Sequence, residues 1–419
     1  MPVIETVVGI DLGTSKIGAV IAEIVDDGEV QVVGVGTVAS HGIRKGVVVE
    51  MEKAIDSIRD ALDEAEQMAG VKVRDTYVGI SGEHIRSLNS RGVVTVSQTK
   101  STDRERIINP IDVNRVLERS REISLPTDRE IIHVLPQSYT VDTQPGICDP
   151  IGISGMRLAA DVHIVTGQTS MAQTINRCVK SAGINLHQTV LAPLAASYAV
   201  LSEDEKDLGV ALLDIGSGTT DLAIWHEKAI RHTAVIPYGG GNITRDIAHV
   251  IGVPPDAAEK LKIEKGGALP PANDSQSINL EPSGDFTGRI VDPIELNSVI
   301  RDRMDEIFRL ARREIKRVDY NELIAAGIVL TGGGALLKGA ARLAEEVFKR
   351  PARVGCPRGI YGLADTVHNP AFSAAVGLIL FALKNPEAVE SASTRQHPRA
   401  ATGLWASVRA AVETVLLKV

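Results

Sequence analysis

Residues 10–18 read IDLGTSKIG and residues 213–222 read LDIGSGTTDL, and these two segments decide the fold class. Each places an aspartate, Asp11 or Asp214, at the end of an apolar strand and follows it with glycine, hydroxyl-bearing residues and a second strand. A single segment of this kind is more often an ordinary glycine-rich hairpin. Here two copies lie about half the chain apart, and each stands inside its own strand–turn–strand–strand pattern. They therefore predict an α/β protein with two duplicated half-domains, each a mixed β-sheet flanked by helices.

The two hairpins carry groups that bind phosphate. Glycines let backbone N–H groups approach an anion, hydroxyls add donors and a lysine adds a point charge. The candidate phosphate-binding residues are Gly13, Thr14, Ser15, Lys16, Gly216, Ser217, Gly218, Thr219 and Thr220. The carboxylates of Asp11 and Asp214 would face each other across a cleft, as hard oxygen donors suited to a hydrated Mg²⁺. The sequence therefore predicts binding of ATP with Mg²⁺, without the GxxxxGK[ST] of a P-loop or the GxGxxG of a Rossmann fold.

A third glycine-rich segment, GIVLTGGGALLKG at 327–339, predicts a buried strand, a triple glycine and a helix start. Its backbone would lie against adenosine through Gly332, Gly333, Gly334 and Ala335, although an ordinary strand–helix turn fits the segment equally well. Glu259 and Lys262 are three residues apart and therefore share a helix face. They would hold the ribose and the adenine edge, or else form a solvated charged face.

The composition of the 419 residues narrows the class of protein. A hydrophobic fraction of 44% supports sizeable cores, and the length suits two or more domains. The net charge of −8 argues against nucleic acid as the main partner. Three widely spaced cysteines indicate neither a disulfide framework nor a metal site. We expect no signal peptide and no membrane-spanning segment, because no basic leader and no run of 18 apolar residues occurs.

Three segments depart from the duplicated pattern. Residues 84–163 combine short strands with charged and Pro/Gly-rich stretches, which predicts a small inserted α+β subdomain. Residues 385–402 lack apolar periodicity and predict a disordered linker. Residues 403–419, GLWASVRAAVETVLLKV, are amphipathic as a helix and predict either an in-plane membrane helix or a helix that docks on the core. The membrane-facing residues would include Leu404, Trp405, Val408, Val412, Val415 and Leu416.

Because it combines these motifs, the chain resembles the actin and sugar-kinase superfamily and, within it, the FtsA family of bacterial actin homologues. The two aspartate hairpins match the phosphate motifs, and LAPLAASYAVL and FSAAVGLILFALK match the two hinge helices. More specific segments are HVLPQSYTVD, GISGMRLAADVHIVT, VIPYGGGNITRDIA and AAGIVLTGGGA. The position of the insert also fits, because this family carries its subdomain 1C there.

The resemblance implies a division of the chain into subdomains. The implied boundaries are 1A at 1–83 and 164–198, 1C at 84–163, 2A at 199–240 and 319–360, 2B at 241–318, a hinge helix within 361–384, a linker at 385–402 and a membrane-targeting helix at 403–419.

The resemblance also implies a function. The family binds ATP, assembles into filaments, tethers the FtsZ ring to the cytoplasmic face of the inner membrane at the septum and recruits later division proteins. Subdomain 2B binds the C-terminal peptide of FtsZ. In the matching helix Arg303 falls where family members carry a peptide-binding arginine, and Asn297 lies about two turns earlier.

One departure concerns hydrolysis. Related ATPases carry a glutamate before the proline of the first hinge helix, where it orients the attacking water, but this chain has Ala192-Pro193. We therefore expect at most a slow ATPase, because the orienting carboxylate is missing while the phosphate-binding groups remain. Two alternatives stay open: an actin-fold small-molecule kinase, which would want a catalytic carboxylate, and a PilM-like pilus-assembly adaptor, which would lack the linker and amphipathic tail.

Overall fold

The computed structural model describes residues 3–25, 28–97, 106–271, 276–282 and 288–385. The linker predicted at 385–402, apart from Asn385, and the helix predicted at 403–419 lie outside these residues.

The first half begins with a meander of three long strands rich in Val, Ile and Ala, which are side chains that pack well on a buried sheet. Its elements are β1 (Val3–Leu12), β2 (Lys16–Val25), β3 (Val30–Ala39), β4 (Ile43–Arg44), β5 (Val47–Val48), α1 (Met51–Ala69) and β6 (Asp75–Ile80). Helix α1 buries Ile55, Ile58 and Leu62 against the sheet, as their helical spacing predicts.

The insert follows β6 as a four-stranded antiparallel sheet with one helix. Its elements are β7 (Arg86–Thr95), α2 (Pro110–Arg121), β8 (Arg129–Val141), β9 (Gln144–Ile147) and β10 (Arg157–Gln168), in the order β7-β10-β8-β9. Asn109 caps α2, because its side chain accepts from the backbone of Ile111 and Asp112. Strand β10 continues to Gln168 in this sheet, so the boundary predicted at 163 cuts through a strand and residues 164–168 lie in the insert.

The chain then returns to the first half and crosses to the second. The elements are α3 (Thr169–Ser181), β11 (Asn185–Leu191), α4 (Ala192–Val200), α5 (Glu203–Leu208), β12 (Val210–Ile215), β13 (Thr220–His226), β14 (Ala229–Ile236), α6 (Gly240–Ile247) and α7 (Pro255–Lys265). A π-helical turn, Ala248–Gly252, connects α6 to α7. Next come β15 (Ile278–Leu280), β16 (Arg289–Val291), α8 (Pro293–Arg317), β17 (Gly327–Thr331), α9 (Ala340–Phe348), β18 (Ala352–Val354), β19 (Tyr361–Gly362), α10 (Ala364–Val367) and α11 (Ser373–Lys384).

The two large sheets share one layout. The first has the order β11-β6-β1-β2-β3-β19 and the second has the order β14-β13-β12-β17-β18. In each, the central strand pairs antiparallel with the next strand and parallel with a later one: β1 with β2 and β6, and β12 with β13 and β17. The aspartate hairpins connect β1 to β2 and β12 to β13, so the duplication predicted from the sequence is confirmed.

Two buried helices join the halves. Every residue of α11 from Ser373 to Leu383 is buried, as expected for a helix that is apolar all round. Helix α11 packs directly on α4: a Cβ added at Gly377 would lie 2.0 Å from the carbonyl oxygen of Ala195. Among the described residues, no helix combines the length and the apolar character that crossing a bilayer requires.

Candidate nucleotide-binding site

A cavity of 360 Å³ lies between the halves and brings both aspartate hairpins to one place. Its walls include all but two of the predicted phosphate, metal and adenosine residues. The predicted residues that line it are Asp11, Gly13, Thr14, Ser15, Lys16, Asp214, Gly216, Ser217, Gly218, Thr219, Glu259, Lys262, Gly332, Gly333 and Gly334. Its size falls in the range of small-molecule sites.

The two hairpins lie against each other across the cavity. A Cβ added at Gly218 would lie 2.5 Å from Thr14 Oγ1 and 2.9 Å from the Cα of Lys45. Lys45 belongs to the turn between β4 and β5, and its neighbour Gly46 also lines the cavity. This approach leaves no room for a side chain at position 218, so glycine is required there for contact between the halves.

Asp11 and Asp214 end the two central strands and open onto the cavity while being shielded from bulk water. Burial raises the pKa of both carboxyls; the neighbouring carboxylates Asp221 and Asp11 raise that of Asp214 further, and Lys16 opposes the shift in both. Burial likewise lowers the pKa of Lys16, against the pull of the two aspartates. The clustered carboxylates carry more negative charge than the single, partly desolvated amine of Lys16 balances. Their oxygen atoms therefore suit a hard divalent cation such as Mg²⁺.

Asp221 is a cavity residue that the sequence prediction missed. Ser81, at the end of β6 in the first half, donates to both carboxylate oxygens of Asp221 at 2.6 Å. Burial raises the pKa of Asp221 to about 7, and Asp11 adds to the shift, while hydrogen bonds from Ser81 and Thr219 oppose it. The only available sequence signal was its place at the end of LDIGSGTTDL, which did not show that the side chain faces the cavity.

Two apolar side chains in the cavity wall suit a flat apolar ring. Ile263 and Leu336 line the cavity although their side chains are exposed, at 66% and 53%. Lys262 Nζ donates to Glu259 Oε2 at 2.7 Å and to Thr244 Oγ1 at 2.8 Å, so the predicted pair of Glu259 and Lys262 is a fixed unit in the wall. Ile263 and Leu336 were not predicted from the sequence, because isolated exposed apolar residues are common on protein surfaces.

Two predicted nucleotide contacts do not line the cavity. Thr220 is fully buried and its hydroxyl donates to the carbonyl of Tyr238 at 2.8 Å, which ties β13 to the end of β14. Ala335 is buried within the 3₁₀ turn Gly333–Leu336 that precedes α9. The direction of each side chain depends on where the strand or the 3₁₀ turn begins. Membership in the motif therefore did not show whether the side chain reaches the cavity.

Ala192 also lines the cavity, as the first residue of α4. The alanine that stands where related ATPases carry a glutamate therefore lies in the site itself. A glutamate at this position would extend its carboxylate into the cavity, whereas a methyl group can neither orient nor deprotonate a water molecule.

The two residues predicted to bind a partner both lie on α8 but differ in accessibility. Asn297 is 8% exposed, and its amide bonds the N–H of Gly267 and the carbonyl of Leu269. Arg303 is partly exposed; its guanidinium bonds Asp246 at 2.5 and 3.1 Å and also pairs with Glu306. Asn297 is therefore largely buried with its amide oxygen and amide nitrogen each bonded, and Arg303 is the more accessible of the two predicted contacts.

Fold and cavity together define an actin-like protein whose cleft is lined by two aspartate hairpins, with a small subdomain inserted in the first half. The solved PilM–PilN type IV pilus biogenesis complex superposes with a TM-score of 0.65 at 17% identity, covering 91% of this chain and 99% of that one. MreB5 of Spiroplasma citri bound to ADP superposes with a TM-score of 0.56 at 14% identity, covering 93% and 99%. These likenesses confirm the predicted actin-like fold.

Comparison of sequences narrows the class to one family. The profile described as "Cell division protein FtsA" matches residues 211–377, and that of the "SHS2 domain inserted in FTSA" matches residues 82–166. Cell division protein FtsA of Pseudomonas aeruginosa is 45% identical over 91% of this chain and 90% of its own length, and that of Escherichia coli K12 is 37% identical over 96% of both. The chain belongs to the FtsA family of cell division proteins.

Proposed function

We propose that the chain binds ATP with Mg²⁺ in the cleft cavity and that the nucleotide acts mainly as a structural and switching ligand. The observation that carries this proposal is that two hairpins from opposite halves meet on one cavity. Their glycine N–H groups, hydroxyls and Lys16 suit the phosphates, the carboxylates of Asp11 and Asp214 suit Mg²⁺, and Ile263 and Leu336 suit the adenine ring. MreB5 of Spiroplasma citri, which shares the fold, has been solved with ADP and with AMPPNP.

As a member of the FtsA family, the protein would serve as a membrane adaptor of cell division. It would tether the FtsZ ring to the cytoplasmic face of the inner membrane at the septum, self-associate into filaments through actin-like contacts and the insert, and recruit later division proteins. Family membership at 37–45% identity supports this role. The missing carboxylate at Ala192 favours it over a small-molecule kinase, and the resemblance to PilM extends to the fold alone.

The C-terminal peptide of FtsZ would bind beside Arg303 in subdomain 2B. The Arg303 guanidinium lies 5.7 Å from the ring of Tyr238 and is paired with Asp246 and Glu306. An acidic peptide would therefore compete with these two carboxylates, which predicts binding that weakens as salt rises. Arg303→Ala should weaken peptide binding, whereas Arg309→Ala should not, because exposed Arg309 pairs, within the described part of the chain, with Asp305 one turn earlier on its own helix.

The amphipathic segment at 403–419 would anchor the protein by lying in the membrane surface. Val412 belongs to its apolar stripe and Thr414 lies largely opposite. Val412→Asp should release the protein from anionic vesicles, because a charge on the apolar face opposes burial among acyl chains. Thr414→Asp is the matched control and should remain bound.

Binding of a fluorescent ATP analogue with and without Mg²⁺ tests the nucleotide site. Co-sedimentation with FtsZ and vesicles, with and without ATP, tests the adaptor role. Absence of nucleotide binding would refute the first part, and pelleting with vesicles that is unchanged after deletion of 403–419 would refute the anchor.

A further inference from the structure

The insert, which belongs to the first half, makes direct hydrogen bonds to β14 in the second half. Ser87 Oγ donates to the carbonyl of Thr233 at 2.8 Å. Gln137 Nε2 donates to the carbonyls of Ile230 at 2.9 Å and Arg231 at 3.2 Å. Strand β14 is an edge strand of the second sheet, so the insert satisfies backbone carbonyls that no neighbouring strand covers.

A buried histidine lies at the centre of this contact. His163, on β10, is fully buried, with Nδ1 2.7 Å from Asn89 Oδ1 and Nε2 3.0 Å from Thr233 Oγ1. Both ring nitrogens are therefore used, one within the insert and one across to β14. Buried polar groups with complete partners hold one specific geometry, because any shift leaves a desolvated group unpaired.

Each side of this contact connects within a few residues to the nucleotide cavity. In the first half, β7 starts at Arg86, shortly after the cavity residue Ser81. In the second half, Val235 of β14 pairs in register with the cavity residue Asp221 of β13. Movement of the halves around a ligand would therefore be transmitted directly to the contact between the insert and β14.

We propose that the insert is a latch on the cleft: its contacts with β14 hold the two halves closed, and release of a bound nucleotide requires those contacts to break. The proposal rests on the proposed binding of nucleotide in the cavity. It assigns a role to Gln137 and His163, which lie in two segments of the family resemblance that nucleotide binding leaves unexplained. A partner that binds the insert would, by the same linkage, change the lifetime of the bound nucleotide.

The test compares two double variants of the full chain. Ser87→Ala with Gln137→Ala removes the hydrogen bonds that Ser87 and Gln137 donate to β14 and leaves the one between His163 and Thr233. Ser90→Ala with Gln144→Ala is the matched control, because Ser90 donates to Ser120 within the insert and Gln144 is exposed. In a stopped-flow chase of a fluorescent ATP analogue, the first variant should release nucleotide about tenfold faster than the unmodified chain. The control should keep the unmodified rate.

The outcomes separate the two proposals. If the unmodified chain binds no nucleotide, the proposed function fails; if it binds but both double variants release at its rate, the latch is refuted. Tightening the contact tests the opposite sign, because a disulfide would replace the hydrogen bonds that the two cysteine substitutions remove. Ser87→Cys with Thr233→Cys, in a chain with Cys148→Ser, should release nucleotide more slowly after oxidation and recover with reductant. An oxidised pair with an unchanged release rate would also refute the latch.

Discussion

Ser81 and Asp221 are joined across the cleft, with the Ser81 hydroxyl 2.6 Å from each carboxylate oxygen of Asp221. The bond connects the end of β6 in the first half to β13 in the second, inside the wall of the cavity. It is a direct polar link between the halves at the place where a nucleotide would bind, and Asp221 depends on it because the carboxylate is otherwise shielded from water.

Loss of this bond should destabilise the protein. Ser81→Ala leaves a desolvated carboxyl short of a donor, which costs about 1–3 kcal/mol in the free energy of unfolding. Urea unfolding monitored by circular dichroism measures the change. Ser40→Ala is the control, because the buried Ser40 hydroxyl has no hydrogen-bond partner among the described residues and its removal should cost little. Equal losses in the two variants would contradict the role of the cross-cleft bond.

Contact between the hairpins should depend on Gly218. In Gly218→Ala the new methyl group would meet Thr14 Oγ1 and the backbone of Lys45 from the other half, so the halves cannot close fully. We expect nucleotide affinity to fall about tenfold or more, because about 1.4 kcal/mol of lost contact corresponds to a factor of ten.

Gly216→Ala provides the comparison within the same hairpin. A Cβ at position 216 would meet the carbonyl of Thr219 at 3.2 Å and no atom of the other half within 4 Å, so this variant should lose much less nucleotide affinity than Gly218→Ala. Fluorescence titration with a nucleotide analogue measures both affinities. A Gly218→Ala protein that binds as tightly as Gly216→Ala would show that close approach of the halves is not needed for binding.

Turnover of ATP should be slow because of Ala192. The unmodified chain should hydrolyse ATP far below the range of about 1–100 s⁻¹ that is typical of kinases. Ala192→Glu places a carboxylate in the cavity and should raise turnover, by about 10²-fold if it acts as an effective base. Ala192→Gln, which has the same shape without the charge, should not. Release of radiolabelled phosphate measures the rates, and fast turnover by the unmodified chain would overturn the expectation.

Acid should destabilise the fold through His133. Burial lowers its pKa to about 4 from an ordinary value of 6.5, and its Nε2 accepts the N–H of Leu191 at 3.0 Å. Below pH 6.5 the His133 imidazole binds a proton in the unfolded chain, whereas in the folded chain it stays neutral until the pH approaches 4. This contribution to stability is therefore complete above pH 6.5 and is lost as pH falls towards 4, by about 1.4 kcal/mol per pH unit.

The variant His133→Gln removes this proton linkage. The cost of the substitution, measured by urea unfolding, should be about 2 kcal/mol smaller at pH 5 than at pH 7.5. The raised pKa of Asp221 makes the fold more stable as pH falls. Asp221 is present in both the unmodified chain and His133→Gln, so its effect cancels in the comparison. A pH-independent cost for His133→Gln would refute the assignment.

Much of the fold could be predicted because its signals are local. The meander of β1, β2 and β3 and the helix α1 follow from strand composition and from helical spacing of apolar residues. The end of the insert could not be predicted in this way. Residues 164–168 continue β10 because β7 and β8 offer partners there, and pairing between distant segments leaves no local signal.

Side-chain direction limited the prediction of the site in the same way. Thr220 belongs to the second hairpin motif but bonds Tyr238 away from the cavity, while Asp221, one residue later, faces the cavity and Ser81. Neighbouring side chains on a strand point to opposite faces, so register decides which of the two meets a ligand. Asn297 was likewise assigned to a partner because nothing in the sequence shows that α8 turns it towards Gly267.

The repeated aspartate segments by themselves predicted the duplicated actin-like fold and a cleft lined by both hairpins, because turn chemistry and strand patterning are properties of short segments. The tertiary structure alone decided which residues close the site. The Ser81–Asp221 bond, the contact of Gly218 with Thr14 and Lys45, and the hydrogen bonds from the insert to β14 join residues far apart in the chain. Such contacts exist only once packing has brought the two halves together, and for that reason the sequence does not display them.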